Sequence, residues 1–211
     1  SEATYDIQFG SLKRPTHKNT SWDGAKFEVC GHKWADVSEG GYGVSILNDC
    51  KYGHDIHDGK MTLSLIKSGI LPNPTTDQEE HFFTYALLPH IGDYNAAYVQ
   101  KEAYCLNVPA VALRMEQDGN GTFDAASLFT LSADNVIAET VKPAEDGSGI
   151  IVRMYEDHNA RTAVTLTWHT EMKRIVECDL MENEIGEAAE QIADYTFTIK
   201  PFEIKTFKIC E

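Results

Sequence analysis

The chain has 211 residues, enough for one large β domain or two smaller ones. Apolar residues make up 42% and charged residues 24%, a balance that excludes a disordered tract. The net charge of −15 makes phosphate backbones and anionic bilayers poor partners and leaves neutral ligands such as sugars, so neither nucleic acid nor membrane is expected.

The opening Ser1-Glu2-Ala3-Thr4 lacks the basic and apolar regions of a signal peptide, and no apolar run approaches the roughly 20 residues of a membrane span. From residue 26 onward, short clusters of β-branched and aromatic residues alternate with Gly, Pro, Asn and Asp. Residues 26–30, 43–47, 60–66 and 81–88 read as strands on this ground. In the third of these, Met61, Leu63 and Leu65 share one face, because side chains alternate across a strand. Ala96, Val99, Ala103 and Leu106 recur at spacings of three and four and predict one short helix near 93–106, with Asp93 as N-cap. The polar, glycine-punctuated stretch 117–122 predicts a domain boundary, giving units 1–118 and 123–211. Beyond it, about seven strands follow at even spacing between residues 127 and 209, the pattern of a small antiparallel sandwich. The Glu- and Ala-rich segment 186–193 reads as a loop or a single helical turn.

Motifs for chemistry are sparse. Cys50, His54 and His57 are possible metal ligands, but their spacing matches no closed zinc pattern, and a polar strand end before the turn Asp58-Gly59 accounts for them. The acidic groups Glu79-Glu80, Glu145-Asp146 and 182–190 read as solvated turns rather than as the carboxylate pair of a glycosidase. No G-x-S-x-G, P-loop or G-x-G-x-x-G motif occurs. Cys30, Cys50, Cys105, Cys178 and Cys210 are odd in number and irregular in spacing, which predicts free thiols in a reducing compartment, the cytoplasm. Among the tryptophans, Trp168 falls on the inner face of the alternating run Val164, Leu166, Trp168. Trp22 and Trp34 are open as sugar platforms, with core packing the ordinary fate of a tryptophan.

One run is far more specific. His32-Lys33-Trp34-Ala35-Asp36-Val37-Ser38-Glu39-Gly40-Gly41-Tyr42-Gly43-Val44-Ser45-Ile46-Leu47-Asn48-Asp49-Cys50-Lys51-Tyr52-Gly53-His54-Asp55 strongly resembles a block of the cytosolic and bacterial branch of the glycoside hydrolase family 38 α-mannosidases. Phe83-Thr84-Tyr85-Ala86-Leu87-Leu88-Pro89-His90, residues 134–142, 145–156 and 161–162, and Lys200-Pro201-Phe202-Glu203-Ile204-Lys205-Thr206-Phe207 resemble further blocks in the family's order.

The resemblance implies an all-β fold, the end portion of a large antiparallel β-sandwich (galactose-mutarotase-like) followed by a small β-sandwich. It further implies a retaining exo-α-mannosidase with one zinc ion. The catalytic Asp and the zinc ligands of such an enzyme lie in an N-terminal barrel, none of whose motifs occurs in this chain, so no catalytic residue and no cofactor is expected within it. The implied partners are that barrel and mannose-containing glycans. Lys67 matches a position where relatives commonly carry arginine at the active-site rim. It keeps the charge and loses the planar fork. Asn48, Asp49, Lys51 and Tyr52 are second candidates for groups facing the barrel, and His90 is a third. An apolar patch near residues 34–60, exposed or buried in a homo-oligomer, is also expected. The alternatives are an independent carbohydrate-binding sandwich and a small complete glycosidase.

Overall fold

The computed structural model describes residues 2–114 and 126–210. The chain divides into two compact units, 1–113 and 114–211. The turn-rich stretch 117–122 lies outside the described residues.

The first unit runs β1 (Glu2–Ile7), β2 (Gly10–Pro15), α1 (Ser21–Ala25), β3 (Val29–Cys30), β4 (Trp34–Ser38), β5 (Tyr42–Asn48), β6 (Gly53–His57), β7 (Lys60–Ser64), β8 (Tyr85–Ile91) and α2 (Val99–Asn107). A large antiparallel sheet has the order β2-β1-β4-β5-β8, and a small one the order β3-β6-β7. The two-residue period of the strands sorts the side chains. Ala3, Tyr5 and Ala35 of the large sheet meet Ile56 of the small one. On the opposite face, Trp34 and Leu47 pack against Val99 and Ala103 of α2, and the Trp34 indole N–H donates to Gln100 Oε1. Trp34 is therefore 0% exposed and no sugar platform.

Three departures from the sequence reading have physical causes. The hairpin β1–β2, unforeseen, turns on Gln8-Phe9 with Phe9 at φ 55°, a left-handed position held without Gly or Asn. By contrast, Asp58-Gly59, with φ values of 51° and 73°, is the turn its residue types announce between β6 and β7. The helix expected from 93–106 begins only at Val99, because Tyr98 at φ 52° breaks the helical path. Asp93 Oδ1 still accepts from Ala96 N at 2.9 Å, capping the turn that precedes the helix. The short helix α1 was also missed, although Thr20 and Asp23 form a reciprocal capping box.

The second unit runs β9 (Phe129–Leu131), β10 (Val136–Pro143), β11 (Ile150–Glu156), β12 (Thr162–Trp168), β13 (Arg174–Cys178), β14 (Ala189–Glu190), β15 (Asp194–Ile199) and β16 (Ile204–Cys210). Its sheets, β10-β11-β16-β13-β14 and β15-β12-β9, enclose a core that includes Val152, Met154, Val164, Leu166, Trp168, Ile175 and Phe207. Each such side chain contributes about 1.5–3 kcal/mol by burial. The alternation read in Val164, Leu166 and Trp168 is the inner face of β12. Segment 186–193 is a loop rather than a helical turn, interrupted by the two-residue strand β14, which pairs with Arg174 and Ile175.

At the end of β11, Glu156 is fully buried. Its Oε1 accepts from Asn135 Nδ2 at 2.8 Å and from His158 N at 2.7 Å. Its Oε2 accepts from Phe202 N at 3.0 Å. One carboxylate thus ties together the entry to β10, the turn after β11 and the turn before β16.

Candidate functional site

The connection from 65 to 84, between β7 and β8, carries no regular secondary structure. Ordered connections of this length inside compact domains usually serve a function. Asn73 Oδ1 accepts from Thr75 N and Oγ1 at 3.0 and 2.9 Å, and a ring nitrogen of His81 lies 3.0 Å from the Asp77 carbonyl oxygen. Lys67 sits exposed near the start of the connection.

The segment after β5 fastens the far end. Asp49 Oδ2 accepts from Thr84 N at 2.9 Å, and Asp49 N donates to Thr84 O at 3.2 Å. The Thr84 amide, followed by the Cys50 thiol, holds the Asp49 carboxyl below the usual carboxylate range. Lys51 places its Nζ 4.8 Å from the centre of the Phe83 ring, a cation–π contact. Asp49 and Lys51 thus anchor the strand end that closes the connection bearing Lys67.

Of the two neighbouring candidates, one faces inward and one is half exposed. Asn48 is 0% exposed. It donates to His32 O at 2.8 Å, accepts from Lys51 N at 2.6 Å and receives Asn107 Nδ2 of α2 on its carbonyl at 3.0 Å. A side chain so engaged shapes the corner and presents nothing to a docking surface. Tyr52 is half exposed, its ring edge-on to His32 at 5.1 Å.

The His90 side chain is buried, its Nε2 2.8 Å from Asp36 Oδ1. Ser45 donates to the same oxygen at 2.7 Å, and Ser38 to the other carboxylate oxygen. The residue types are those of a hydrolytic triad, but the wiring is different. In a triad the imidazole bridges Ser and Asp through its two nitrogens. Here Ser45 and Asp36 share one nitrogen, Nδ1 has no hydrogen-bond partner among the described residues, and the serine proton points at the carboxylate. The cluster locks β4, β5 and β8 together. Gly43 makes room for it, since a Cβ there would stand 2.2 Å from His90 Cε1.

Among the described residues, no three His, Cys, Asp or Glu side chains are grouped to hold a metal. Cys50, His54 and His57 diverge. Cys50 is exposed, His57 pairs with Asp55, and His54 lies buried edge-on to Tyr5. The acidic turns also have structural employment. Asp146 accepts from Ser148 and Lys208, and Glu182 from Glu145 N and Lys142. Trp22, on α1, is the one exposed tryptophan, at 78%.

Burial pushes the His54 imidazole below its ordinary value, more than the Tyr52 carbonyl raises it. The unfolded chain, titrating near pH 6.5, therefore binds a proton that the folded chain refuses. The contribution of neutral His54 is complete above that pH and is lost as pH falls toward the depressed value. The thermal midpoint should drop between about pH 7.5 and pH 5.5, and His54→Gln should flatten that slope. An equal slope in the variant would assign the effect to other groups.

The register Tyr42↔Ile91, Val44↔Pro89 and Ile46↔Leu87 places these residues on one face of the large sheet. Toward the β8 edge this face is bare, with Ile91 85%, Leu87 66% and Tyr42 51% exposed. Of the apolar patch expected near 34–60, Tyr42 is exposed, and the stripe continues beyond that range on β8. Trp34 and Ala35 are covered by α2 and the small sheet, and the exposed stripe lies on β8 and the start of β5.

Two family models match the chain. That of the glycosyl hydrolases family 38 C-terminal domain covers residues 1–75, and that of the glycosyl hydrolases family 38 C-terminal beta sandwich domain covers residues 135–207. The chain is 41% identical to alpha-mannosidase G of Dictyostelium discoideum, over 98% of this chain and 19% of that protein. It is 40% identical to human alpha-mannosidase 2C1, over 97% of this chain and 20% of that protein. The crystal structure of an alpha-mannosidase from Enterococcus faecalis superposes with a TM-score of 0.79 at 18% identity, over 98% of this chain and 24% of that one. The chain spans about a fifth of the length of the curated relatives it matches.

Proposed function

Since this chain belongs to glycosyl hydrolase family 38, of which it is a C-terminal region, we propose that it is the noncatalytic end of a retaining, zinc-dependent exo-α-mannosidase that removes terminal mannose from glycans. It docks on the catalytic barrel carried by the rest of the polypeptide and completes the rim of its active site. The observation that carries this reading is the bare stripe of Tyr42, Leu87 and Ile91 beside the ordered connection 65–84, in a chain one fifth the length of its relatives. Apolar faces of this kind mark interfaces.

The described residues offer zinc no fitting site, because their histidines and cysteines diverge. The ion belongs with the remaining four fifths. Lys67 would supply a point positive charge at the rim, reaching substrate hydroxyls without the bidentate geometry of arginine. Asp49 and Lys51 act through the position they give the connection. Five free thiols suit the reducing cytoplasm. No helix is long and apolar enough to cross a membrane among the described residues.

The isolated chain should leave a chromogenic α-mannoside intact, with or without added zinc, while the full-length enzyme hydrolyses it. In that enzyme, Lys67→Ala should lower kcat/KM by about tenfold, or ~1.4 kcal/mol, and leave the unfolding midpoint unchanged. Unaltered kinetics would remove Lys67 from the rim. Hydrolysis by the isolated chain would overturn the noncatalytic reading. Saturable mannoside binding without hydrolysis, reported by the fluorescence of exposed Trp22, would favour a free-standing carbohydrate module instead.

A further inference from the structure

At one end of the first unit, the two sheets part around a cleft of about 350 Å³. Its floor is apolar, with Val37, Val44 and Met61, and Tyr42 forms one wall. Glu2 and Glu39 stand in its lining, the Glu2 carboxylate 3.7 Å from Lys13 Nζ and that of Glu39 without such a partner among the described residues. Tyr42 also lies directly across from Ile91, the most exposed residue of the β8 stripe, so cleft and stripe form one continuous surface.

We infer that this cleft is a socket for an apolar side chain neighboured by a basic residue, supplied by the part of the longer polypeptide that lies outside this chain. The inference rests on the docking role proposed above and adds the anchor point and the chemistry of its occupant. Three observations select that occupant. An apolar floor stabilises an apolar side chain, and interfaces concentrate their energy where such an anchor fills a pocket. The Glu39 carboxylate beside the floor attracts a cation, and a neutral or acidic neighbour would leave it unmatched as it loses water. The relatives are about five times the length of this chain, so a large tethered surface is available at high effective concentration. A second copy is the poorer occupant, because it would bring its own Glu39 and a net charge of −15 to the same contact.

The test uses the full-length enzyme with the photo-crosslinking residue p-benzoylphenylalanine in place of Tyr42, and in a second variant in place of Leu87. After irradiation, the linked peptides are mapped by mass spectrometry. The expected result at position 42 is an intrachain link to an apolar residue N-terminal to this region, with Lys or Arg within two positions. Adding Glu39→Lys should lower the yield of that link about fivefold. A link at 87 with none at 42 would overturn the socket and leave the docking role standing. No link at either position would overturn both. A covalent dimer through position 42 would replace the tethered occupant by a second copy. A link at 42 insensitive to Glu39→Lys would overturn the basic neighbour.

Discussion

Trp34→Ala is expected to lower the unfolding free energy of the first unit by about 4 kcal/mol. The indole is fully enclosed among Leu47, Val99 and Ala103, with the Tyr94 ring 5.1 Å away. Truncation removes this contact and opens a cavity that the paired strands around it cannot collapse to fill. It also withdraws the N–H that Gln100 accepts, and a buried acceptor that loses a donor bears a desolvation cost. Since Trp34 lies at the centre of the cluster on which α2 packs, the helical signal should melt earlier than the strands do. Trp34→Phe keeps an apolar ring and loses the donor, so its cost should be about half as large. Urea denaturation followed by far-ultraviolet circular dichroism checks both values. A loss below about 1 kcal/mol for the alanine variant would show that the helix is held by other contacts.

Glu156→Gln should destabilise the second unit by about 3 kcal/mol, although it changes almost no volume. Three donors converge on the Glu156 carboxylate, and each of its oxygens is in use. An amide offers one oxygen and one NH2, so one side must set donor against donor. If the amide oxygen keeps Asn135 and His158, the NH2 faces Phe202 N. Phe202 sits at φ 53°, a left-handed conformation that a bulky residue leaves readily once its tether is gone. The turn before β16 should then loosen first. Amide hydrogen exchange at Phe202 should accelerate in the variant ahead of exchange in the β11 and β16 strands. Exchange there at the parent rate would show that the turn holds itself without the carboxylate.

Much of this architecture was legible beforehand, for reasons visible in particular residues. Val164, Leu166 and Trp168 alternate because one face of β12 is core and the other is not, so periodicity alone placed them. Asp58-Gly59 declared its turn because few other residue types accept two successive positive φ values. The hairpin at Phe9 was hidden because the neighbouring strands impose its left-handed residue, and no local preference announces it. Of the candidate site, the polar run 48–52 at the end of β5 was readable from the family blocks. The inward direction of Asn48 and His90 was not, because a polar side chain that closes a buried corner and one that meets a partner look alike in a sequence. Gly43 is the local sign of His90, but the contact spans paired strands far apart in the chain, and only the register shows it. The continuation of the stripe onto β8 was missed for a similar reason. Apolar composition locates strands, whereas exposure depends on where the small sheet stops covering the large one.

The closure of the 65–84 connection by Asp49 and Thr84 bears on how the family can diversify. With both ends pinned to paired strands, the intervening segment can change length while β5 and β8 keep their register. Loop-closure entropy grows only with the logarithm of length, so doubling the segment costs about 0.6 kcal/mol. A lineage could therefore enlarge or trim the material hanging beside Lys67 without rebuilding the sandwich beneath it.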